Sequence, residues 1–205
     1  MKAGIKKSRR NAIIKAAKSV FFERGFARTN ISEICSQAGI SRTTLYSYFE
    51  SKENIYLAVV FQAFQKFLDH FPPQTGENGL DRILSLSKAY IDFAQNFPQH
   101  YSLILDFYSI SREEKLKQTE TQKLLKQSEY FEKARKLSEL PLNQLLQVIS
   151  RGQKDSSIQK EIPAHIHMLN IWAYLRGIAE LSGEWKQQDL HPEGIILDTI
   201  KALLK

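Results

Sequence analysis

Apolar residues recur at helical spacing along almost the whole chain, and no stretch shows a convincing strand alternation. The first apolar stripe predicts a helix over about residues 9–24 that ends at Gly25, and its members are Ile13, Ala17, Val20 and Phe21. Later stripes predict helices over about residues 51–70, 79–96, 99–110, 112–137, 141–152, 163–183 and 192–204. Prolines fit the starts of helices, and four stand at or just before a predicted start: Pro98, Pro141, Pro163 and Pro192. The pattern predicts an all-α protein.

A shorter pattern between residues 30 and 41 predicts a capped helix followed by a tight turn. Asn30 is a favourable N-cap, and Glu33 stands three positions later, as in a capping box. Gly39 can adopt the left-handed conformation that ends a helix, and Ser41 can cap the next one. Two short helices joined in this way are typical of a helix-turn-helix.

The second helix of this pair carries an unusual outer face. Leu45 and Phe49 lie four residues apart and are predicted to face inward. The outer positions hold hydroxyl, guanidinium and phenol groups rather than the usual Lys and Glu, and they are Arg42, Thr43, Thr44, Tyr46 and Tyr48. Such groups suit contacts with phosphates and base edges.

The segment from Phe22 to Ile55 resembles the DNA-binding domain of the TetR family of bacterial transcriptional regulators. The matching residues are Gly25-Phe26, Thr29-Asn30-Ile31, Glu33-Ile34, Ala38-Gly39-Ile40-Ser41, Leu45-Tyr46, Tyr48-Phe49 and Ser51-Lys52-Glu53. The resemblance covers about the first quarter of the chain. Two positions depart from it: Asn30 replaces the usual Thr or Ser, and Thr43 stands where Gly is frequent.

The resemblance implies an N-terminal three-helix helix-turn-helix domain plus a larger helical ligand-binding and dimerisation domain. We expect residues 1–52 to bind DNA, 53–70 to form a connecting helix, and 71–205 to be regulatory, with the break at Phe71-Pro72-Pro73. Residues 41–48, beginning at Ser41, would enter the major groove. Arg42, Thr43 and Thr44 would contact bases, and the family pattern implies phosphate contacts from Asn30, Tyr46, Tyr48 and Lys52.

The charge distribution supports DNA binding independently. Residues 1–52 contain eleven Lys or Arg and three Glu, a net charge of +8, whereas the whole chain has +7, so residues 53–205 sum to −1. A basic excess confined to one segment steers a protein to phosphates. We expect Lys2 to Arg10 to form a flexible arm that could lie along DNA.

The last two predicted helices are the most apolar, and such faces must be buried somewhere. The resemblance implies that they pair with a second copy in a homodimer, and the predicted interface residues are Leu169, Ala173, Gly177, Ile196, Ile200 and Leu203. One short recognition helix contacts too few bases to be specific alone, which also favours a dimer. Plain intrachain core remains the alternative.

Aromatic residues accumulate in the middle of the chain, where the resemblance implies an effector pocket. The predicted ligand-binding residues are Phe93, Tyr101, Phe107, Tyr108 and Trp172, and the predicted effector is a small apolar or aromatic molecule. Ordinary core packing is the alternative for each of them. The alternating charges of residues 112–137 predict a solvent-exposed helix.

Other protein classes lack support in the sequence. The single cysteine, Cys35, excludes an internal disulfide and fits a reducing cytoplasm. No run of eighteen apolar residues and no signal peptide is present. No catalytic motif occurs, and His165 and His167 lie two residues apart, a spacing that points their rings to different faces of a helix. We expect no enzyme activity, no cofactor and no metal site.

These features predict a cytoplasmic, homodimeric transcriptional repressor that binds a palindromic operator in double-stranded DNA and is released by a small molecule. One rival is a DNA-binding protein of the same fold that a protein partner controls without an inducer. A second is a helical enzyme that carries a helix-turn-helix-like segment. An activator is also compatible with the sequence.

Overall fold

The structure is a computed structural model that describes residues 2–72, 76–112, 120–187 and 193–205. Ten helices occur among these residues, and none of the described residues is in a strand. They are α1 (Lys2–Arg28), α2 (Ile31–Ala38), α3 (Arg42–Tyr46), α4 (Lys52–His70), α5 (Gly79–Asn96), α6 (Pro98–Arg112), α7 (Glu120–Gln127), α8 (Glu129–Lys154), α9 (Ala164–Gln187) and α10 (Glu193–Leu204). The all-α prediction is confirmed, and the predicted start at Pro192 lies outside the described residues.

Packing divides the chain into two compact units. The first unit contains Met1–Phe64 and Ser102–Leu137, and the second contains Gln65–Tyr101 and Ser138–Lys205. α4, α6 and α8 each contribute residues to both units. The functional division at residues 52 and 70 stays a prediction.

The core of the first unit forms where α1 packs on α2 and α2 packs on α3. Gly25 interrupts α1 with φ 74° and ψ 165°, and the chain continues helically to Arg28. Beside this break, Phe21, Phe26 and Tyr56 pack in tilted and edge-to-face geometries with ring centroids 4.7–6.1 Å apart. The apolar stripe predicted on α1 is therefore confirmed as core.

Two predictions about α7 and α8 are wrong. The chain around residues 120–137 is not a single exposed helix, because it breaks at Ser128 and buries Leu125, Phe131 and Ala134. Pro141 lies inside α8 rather than at the start of a helix. Pro141, Leu145 and Ile149 are all buried at a spacing of four residues, so burial of this face continues α8 through the proline despite the lost N–H donor.

The second unit is built around α5, which packs on α9 and α10. α5 begins against the end of α8: the Gly79 N–H donates to Asp155 Oδ2 at 2.9 Å, and the Leu80 N–H donates to Ser157 Oγ at 3.1 Å. A side chain at Gly79 would overlap the backbone of Gly152. The start of α5 therefore depends on a close backbone approach that leaves no room for a Cβ.

Candidate DNA-binding interface

A reciprocal cap fixes the first turn of α2. Asn30 Oδ1 accepts the Glu33 N–H at 3.2 Å, and Glu33 Oε2 accepts the Asn30 N–H at 3.0 Å. The other carboxylate oxygen of Glu33 lies 2.7 Å from Arg24 Nη1 on α1. The predicted capping box is confirmed, and Glu33 also ties α2 to α1.

The turn between α2 and α3 has the predicted geometry. Gly39 has φ 63° and ψ 38°, a left-handed conformation that carries no steric penalty for glycine. The Ile40 N–H then bonds the Cys35 carbonyl at 3.0 Å, which satisfies the end of α2. Ser41 Oγ accepts the Thr44 N–H at 3.1 Å and caps α3. Each bond joins residues close in sequence, so the turn is determined locally.

α3 presents a polar surface over two buried anchors. Leu45 and Phe49 are at most 1% exposed. The outward side chains differ in exposure: Arg42, Thr43 and Tyr46 are exposed, while Thr44 and Tyr48 are half-buried. The structure thus places the predicted base-contacting residues together on one short helix, and the contacts themselves stay predictions.

Ser32 belongs to this surface although the sequence pattern did not single it out. The Arg42 guanidinium donates to Ser32 Oγ across the turn, and both residues are exposed. Ser32 therefore holds the Arg42 guanidinium in a defined position. A small hydroxyl on the outer face of α2 was the only available signal.

Lys52 has a structural role beside its predicted phosphate contact. Its Nζ donates to the Phe26 and Thr29 carbonyls at 3.0 Å each and lies 4.4 Å from the centroid of the Phe26 ring. A positive charge at the end of α1 is favoured by the helix dipole. Lys52 thus joins the end of α1 to the start of α4.

The basic N-terminal segment is helical, so the prediction of a flexible arm is wrong. Extending a helix costs less than nucleating one, and α1 already exists from the core residues onward. Lys6, Lys7 and Arg9 are exposed on this extension. The first unit therefore carries its basic charge on an ordered helix.

Arg10 differs from its basic neighbours because it is only partly exposed. Its Nη2 lies 3.0 Å from Glu129 Oε1, and its guanidinium carbon lies 5.0 Å and 5.3 Å from the ring centroids of Phe49 and Tyr130. Arg10 thereby joins α1 and Phe49, which lies between α3 and α4, to the start of α8. The sequence alone gave no sign of this contact.

A second link within the first unit joins α4 to α6. Tyr56 Oη donates to Asp106 Oδ2 at 3.1 Å. Burial, reinforced by Asp106, raises the pKa of Tyr56, so this phenol remains a proton donor. Burial also raises the pKa of Asp106, and the hydrogen bond from Tyr56 opposes that shift.

The predicted ligand-binding residues fall into two groups. In the first unit, Phe107 and Tyr108 pack on Phe64 with ring centroids 5.4 Å and 5.9 Å apart. In the second unit, Phe93 is fully buried and packs on Phe67 at 4.9 Å. Phe93 and Phe107 are therefore core residues in this structure.

Trp172 and Tyr101 lie near a narrow cavity in the second unit. The cavity is small, because the space that admits the centre of a water molecule is about 20 Å³. Trp172 lines this cavity, and its ring lies 5.5 Å from that of Tyr90, another lining residue. The hydroxyl groups of Tyr101 and Tyr90 form a hydrogen bond, with their oxygen atoms 2.8 Å apart. Burial raises the pKa of the Tyr101 hydroxyl.

The predicted dimer residues also separate into two sets. Leu169 is 53% exposed, and Ala173 and Gly177 are exposed on the same face of α9. Ile196 and Ile200 are buried within the chain, so they belong to the intrachain core, while Leu203 is half-buried. α10 uses its strongest apolar positions to cover its own unit, which the apolar pattern could not distinguish from a dimer face.

The described residues also bear on metal binding and on membrane insertion. Residues 2–72, 76–112, 120–187 and 193–205 contain no group of three or more His, Cys, Asp or Glu side chains arranged to hold a metal ion. No helix within the same ranges is long and apolar enough to cross a membrane.

A capped helix-turn-helix in a basic, all-helical unit defines the class of helical DNA-binding proteins. Residues 13–59 match the family model for bacterial regulatory proteins of the tetR family. The predicted resemblance to the TetR family is therefore confirmed over these residues. This family and fold are those of transcriptional regulators rather than enzymes.

Known proteins resemble this chain over different lengths. FasR of Mycolicibacterium smegmatis, an HTH-type transcriptional activator, is 32% identical over 104 residues, which is 48% of this chain and 46% of FasR. The match thus spans less than half the length of that relative.

Two solved structures share the whole fold. GusR of Salmonella enterica has a TM-score of 0.70 at 20% identity, covering 96% of this chain and 95% of that one. The transcriptional regulator FadR from Bacillus subtilis, solved in complex with stearoyl-CoA, has a TM-score of 0.65 at 17% identity. This match covers 95% of the present chain and 98% of FadR. At these identities the likeness establishes the fold alone.

Proposed function

We propose that this chain is a sequence-specific transcriptional regulator that inserts α3 into the major groove of double-stranded DNA. The observation that carries the proposal is the exposed set of Arg42, Thr43 and Tyr46 on a short helix anchored by Leu45. The basic residues of α1 supply attraction to phosphates that depends on salt. Such a protein acts where its DNA lies, in the cytoplasm of a bacterium.

The proposed roles follow the positions of the side chains. Arg42 can form a bidentate contact with guanine, and Thr43 and Thr44 can contact bases through hydroxyl or methyl groups. Phosphate contacts are assigned to Asn30, Ser41, Tyr46, Tyr48 and Lys52. Ser32 orients Arg42 before DNA arrives.

Selection of bound duplexes from a random pool tests DNA recognition, and enrichment of a palindrome is the expected result. Arg42→Ala should then weaken operator binding by about 1–3 kcal/mol for each half-site, because the base contact is lost. Arg151→Ala removes an exposed arginine on α8 and is the matched control. Equal losses for the two variants would contradict the assignment of Arg42.

We propose that the protein binds DNA as a homodimer through α9. Leu169, Ala173 and Gly177 lie on one exposed face, and small residues permit close approach of a second helix. Two recognition helices can then meet half-sites about 34–36 Å apart or a multiple of that distance.

Light scattering on the purified protein tests the dimer. Leu169→Lys should shift the protein toward monomer because it places a charge in an apolar contact. Leu140→Lys, on α8, is the control because Leu140 is also exposed, at 47%, but lies outside the proposed interface. A dimer that survives Leu169→Lys unchanged would rule out this face.

We propose that the regulator is a repressor released by a small molecule bound in the second unit. Two observations support this proposal: the second unit contains the cavity at Trp172, and FadR, which has the same fold, was solved with stearoyl-CoA. Ligand binding would pull on α4 and change the separation of the recognition helices, so both could no longer dock.

An operator titration tests the release, with small molecules extracted from freshly purified protein added back. Unchanged operator affinity at full ligand occupancy would favour control by a protein partner instead. A reporter gene behind the operator separates repression from activation, and FasR shows by its name that relatives can activate.

A further inference from the structure

One buried hydroxyl in the second unit has no hydrogen-bond partner. Ser87 lies on α5, is 1% exposed, and its Oγ makes no hydrogen bond. Ser87 lines the narrow cavity described above. A helical serine can bond the carbonyl four residues earlier, but Ser87 does not use this option. A buried hydroxyl without a partner destabilises a protein, so its presence at a cavity points to a partner that arrives from outside.

The remaining lining of the cavity is almost entirely apolar. Its apolar and aromatic walls are formed by Phe71, Leu86, Leu145, Trp172 and Leu175. Tyr90 contributes its ring, while its hydroxyl is engaged with Tyr101 at 2.8 Å. The Ser87 hydroxyl is therefore a deeply buried polar group of the cavity wall that can bind a ligand. The Gln144 amide is a second polar group of the lining, and it is half-buried.

Water is a poor permanent partner for Ser87. The space that admits a water centre, about 20 Å³, is enough for about one molecule. A buried water needs two to four polar partners, and apolar walls surround most of this space. Displacing a poorly held water by a ligand group that keeps the bond to Ser87 increases affinity.

The cavity lining also excludes a charged group at its centre. None of the nine lining residues is Asp, Glu, Lys, Arg or His. An unpaired charge in such surroundings is strongly unfavourable. Half-buried Phe71 and Trp172 border the space, so a ligand larger than one water molecule requires these two side chains to rotate outward.

We infer that this cavity binds a neutral, compact and mostly apolar molecule through one hydroxyl or carbonyl group that hydrogen-bonds Ser87 Oγ. The inference rests on the proposed ligand control and specifies the chemical class of that ligand. Aromatic rings suit it, because Trp172 and Tyr90 can pack against them edge to face.

Fluorescence titration of the full chain tests the inference without DNA. The sequence contains two tryptophans, Trp172 and Trp185, so the W185F variant reports on Trp172 alone. The probes are benzyl alcohol, toluene and benzoate, which share a ring and differ in polar group. We expect benzyl alcohol to bind about tenfold more tightly than benzoate and severalfold more tightly than toluene.

The Ser87→Ala variant isolates the hydrogen bond. We expect benzyl alcohol affinity to fall about two- to tenfold while toluene affinity stays the same or rises. Without ligand, this variant should be at least as stable as the parent, because the unpartnered hydroxyl is gone. Ser150→Ala is the control, since Ser150 Oγ already bonds the Leu146 carbonyl at 2.9 Å.

Three results would overturn the inference: benzoate binding as tightly as benzyl alcohol, equal losses for alcohol and toluene in Ser87→Ala, or no Trp172 response to any probe. Because this titration measures cavity binding directly, it can succeed when the operator titration shows no release. Failure of ligand control and failure of the cavity assignment are thus separate outcomes.

Discussion

The helix-turn-helix motif, which consists of α2, α3 and the turn between them, and the cavity beside Ser87 are built in opposite ways. The motif is shaped by bonds between close neighbours, such as Asn30 with Glu33 and Ser41 with Thr44. The cavity gathers Phe71, Ser87 and Trp172, which lie far apart in the chain. The motif exposes its polar groups to solvent, whereas the cavity buries the unsatisfied hydroxyl of Ser87. Local bonding can therefore shape the exposed face of a helix-turn-helix, but a cavity needs several packed helices.

The largest expected effect tests whether local hydrogen bonds alone can hold α3 in place when its buried anchor, Leu45, is removed. Leu45→Ala should lower the free energy of unfolding by about 2–5 kcal/mol, because Leu45 is fully buried under α3. Operator binding should fall with it. Leu45→Met, which conserves volume, should cost less than about 1.5 kcal/mol in a urea titration. Wild-type stability for Leu45→Ala would mean that the caps alone hold α3.

The second unit should be sensitive to a contact that no local pattern reveals. Gly79→Ala should destabilise the protein by about 1–3 kcal/mol, because the new Cβ overlaps the Gly152 backbone. Gly4→Ala is the matched control, since nothing lies within 4 Å of a Cβ there. Thermal unfolding measures both, and equal melting temperatures would show that α5 and α8 can separate freely.

Removing the cap of α2 should have a smaller effect confined to the motif. Asn30→Ala should cost about 1 kcal/mol because it leaves the Glu33 N–H unsatisfied. Asn30→Asp keeps an acceptor and should remain close to the parent. Hydrogen exchange should locate the change in α2, and faster exchange in α5 or α9 would contradict a purely local role.

The smallest expected effect concerns pH and the start of α5. Hydrogen bonds from Ser157 and the Gly79 N–H hold the pKa of Asp155 below its usual range. Because the folded-state pKa is depressed, this stabilisation is present above the unfolded pKa, near 4, and is lost as pH falls through the folded value. Asp155→Asn should show a weaker loss of stability in acid. Parallel pH profiles for the two proteins would reject the effect.

Sequence patterns succeeded where short-range bonding decides the structure. The capping box at Asn30, the left-handed Gly39 and the cap at Ser41 were all predicted and are present. Patterns failed at Pro141, where burial of one face of α8 outweighs the helix-starting preference of proline. They also failed for the N-terminal segment, because continuation of α1 outweighs the polarity of Lys2 to Arg10.

The candidate sites differ in the same way: the face of α3 is formed by neighbouring residues, whereas the cavity is formed by residues distant in the sequence. The outer face of α3 follows from neighbouring residues, so the sequence alone identified its outward side chains, of which Arg42, Thr43 and Tyr46 are exposed while Thr44 and Tyr48 are half-buried. The aromatic composition could not separate Phe93, which is core, from Trp172, which lines the cavity. The contacts of Arg10 with Glu129 and Tyr130 were likewise invisible, because they join distant parts of the chain.

The sequence by itself determined the helical class, the TetR-type recognition motif and the basic charge beside it, since periodicity, caps and net charge are properties of neighbouring residues. Only the tertiary structure decided which apolar faces remain exposed, so that Leu169 stays at the surface while Ile196 is buried. It also left Ser87 without a partner at a cavity. The physical reason is that burial depends on which helices pack together, and that packing is set by the whole chain.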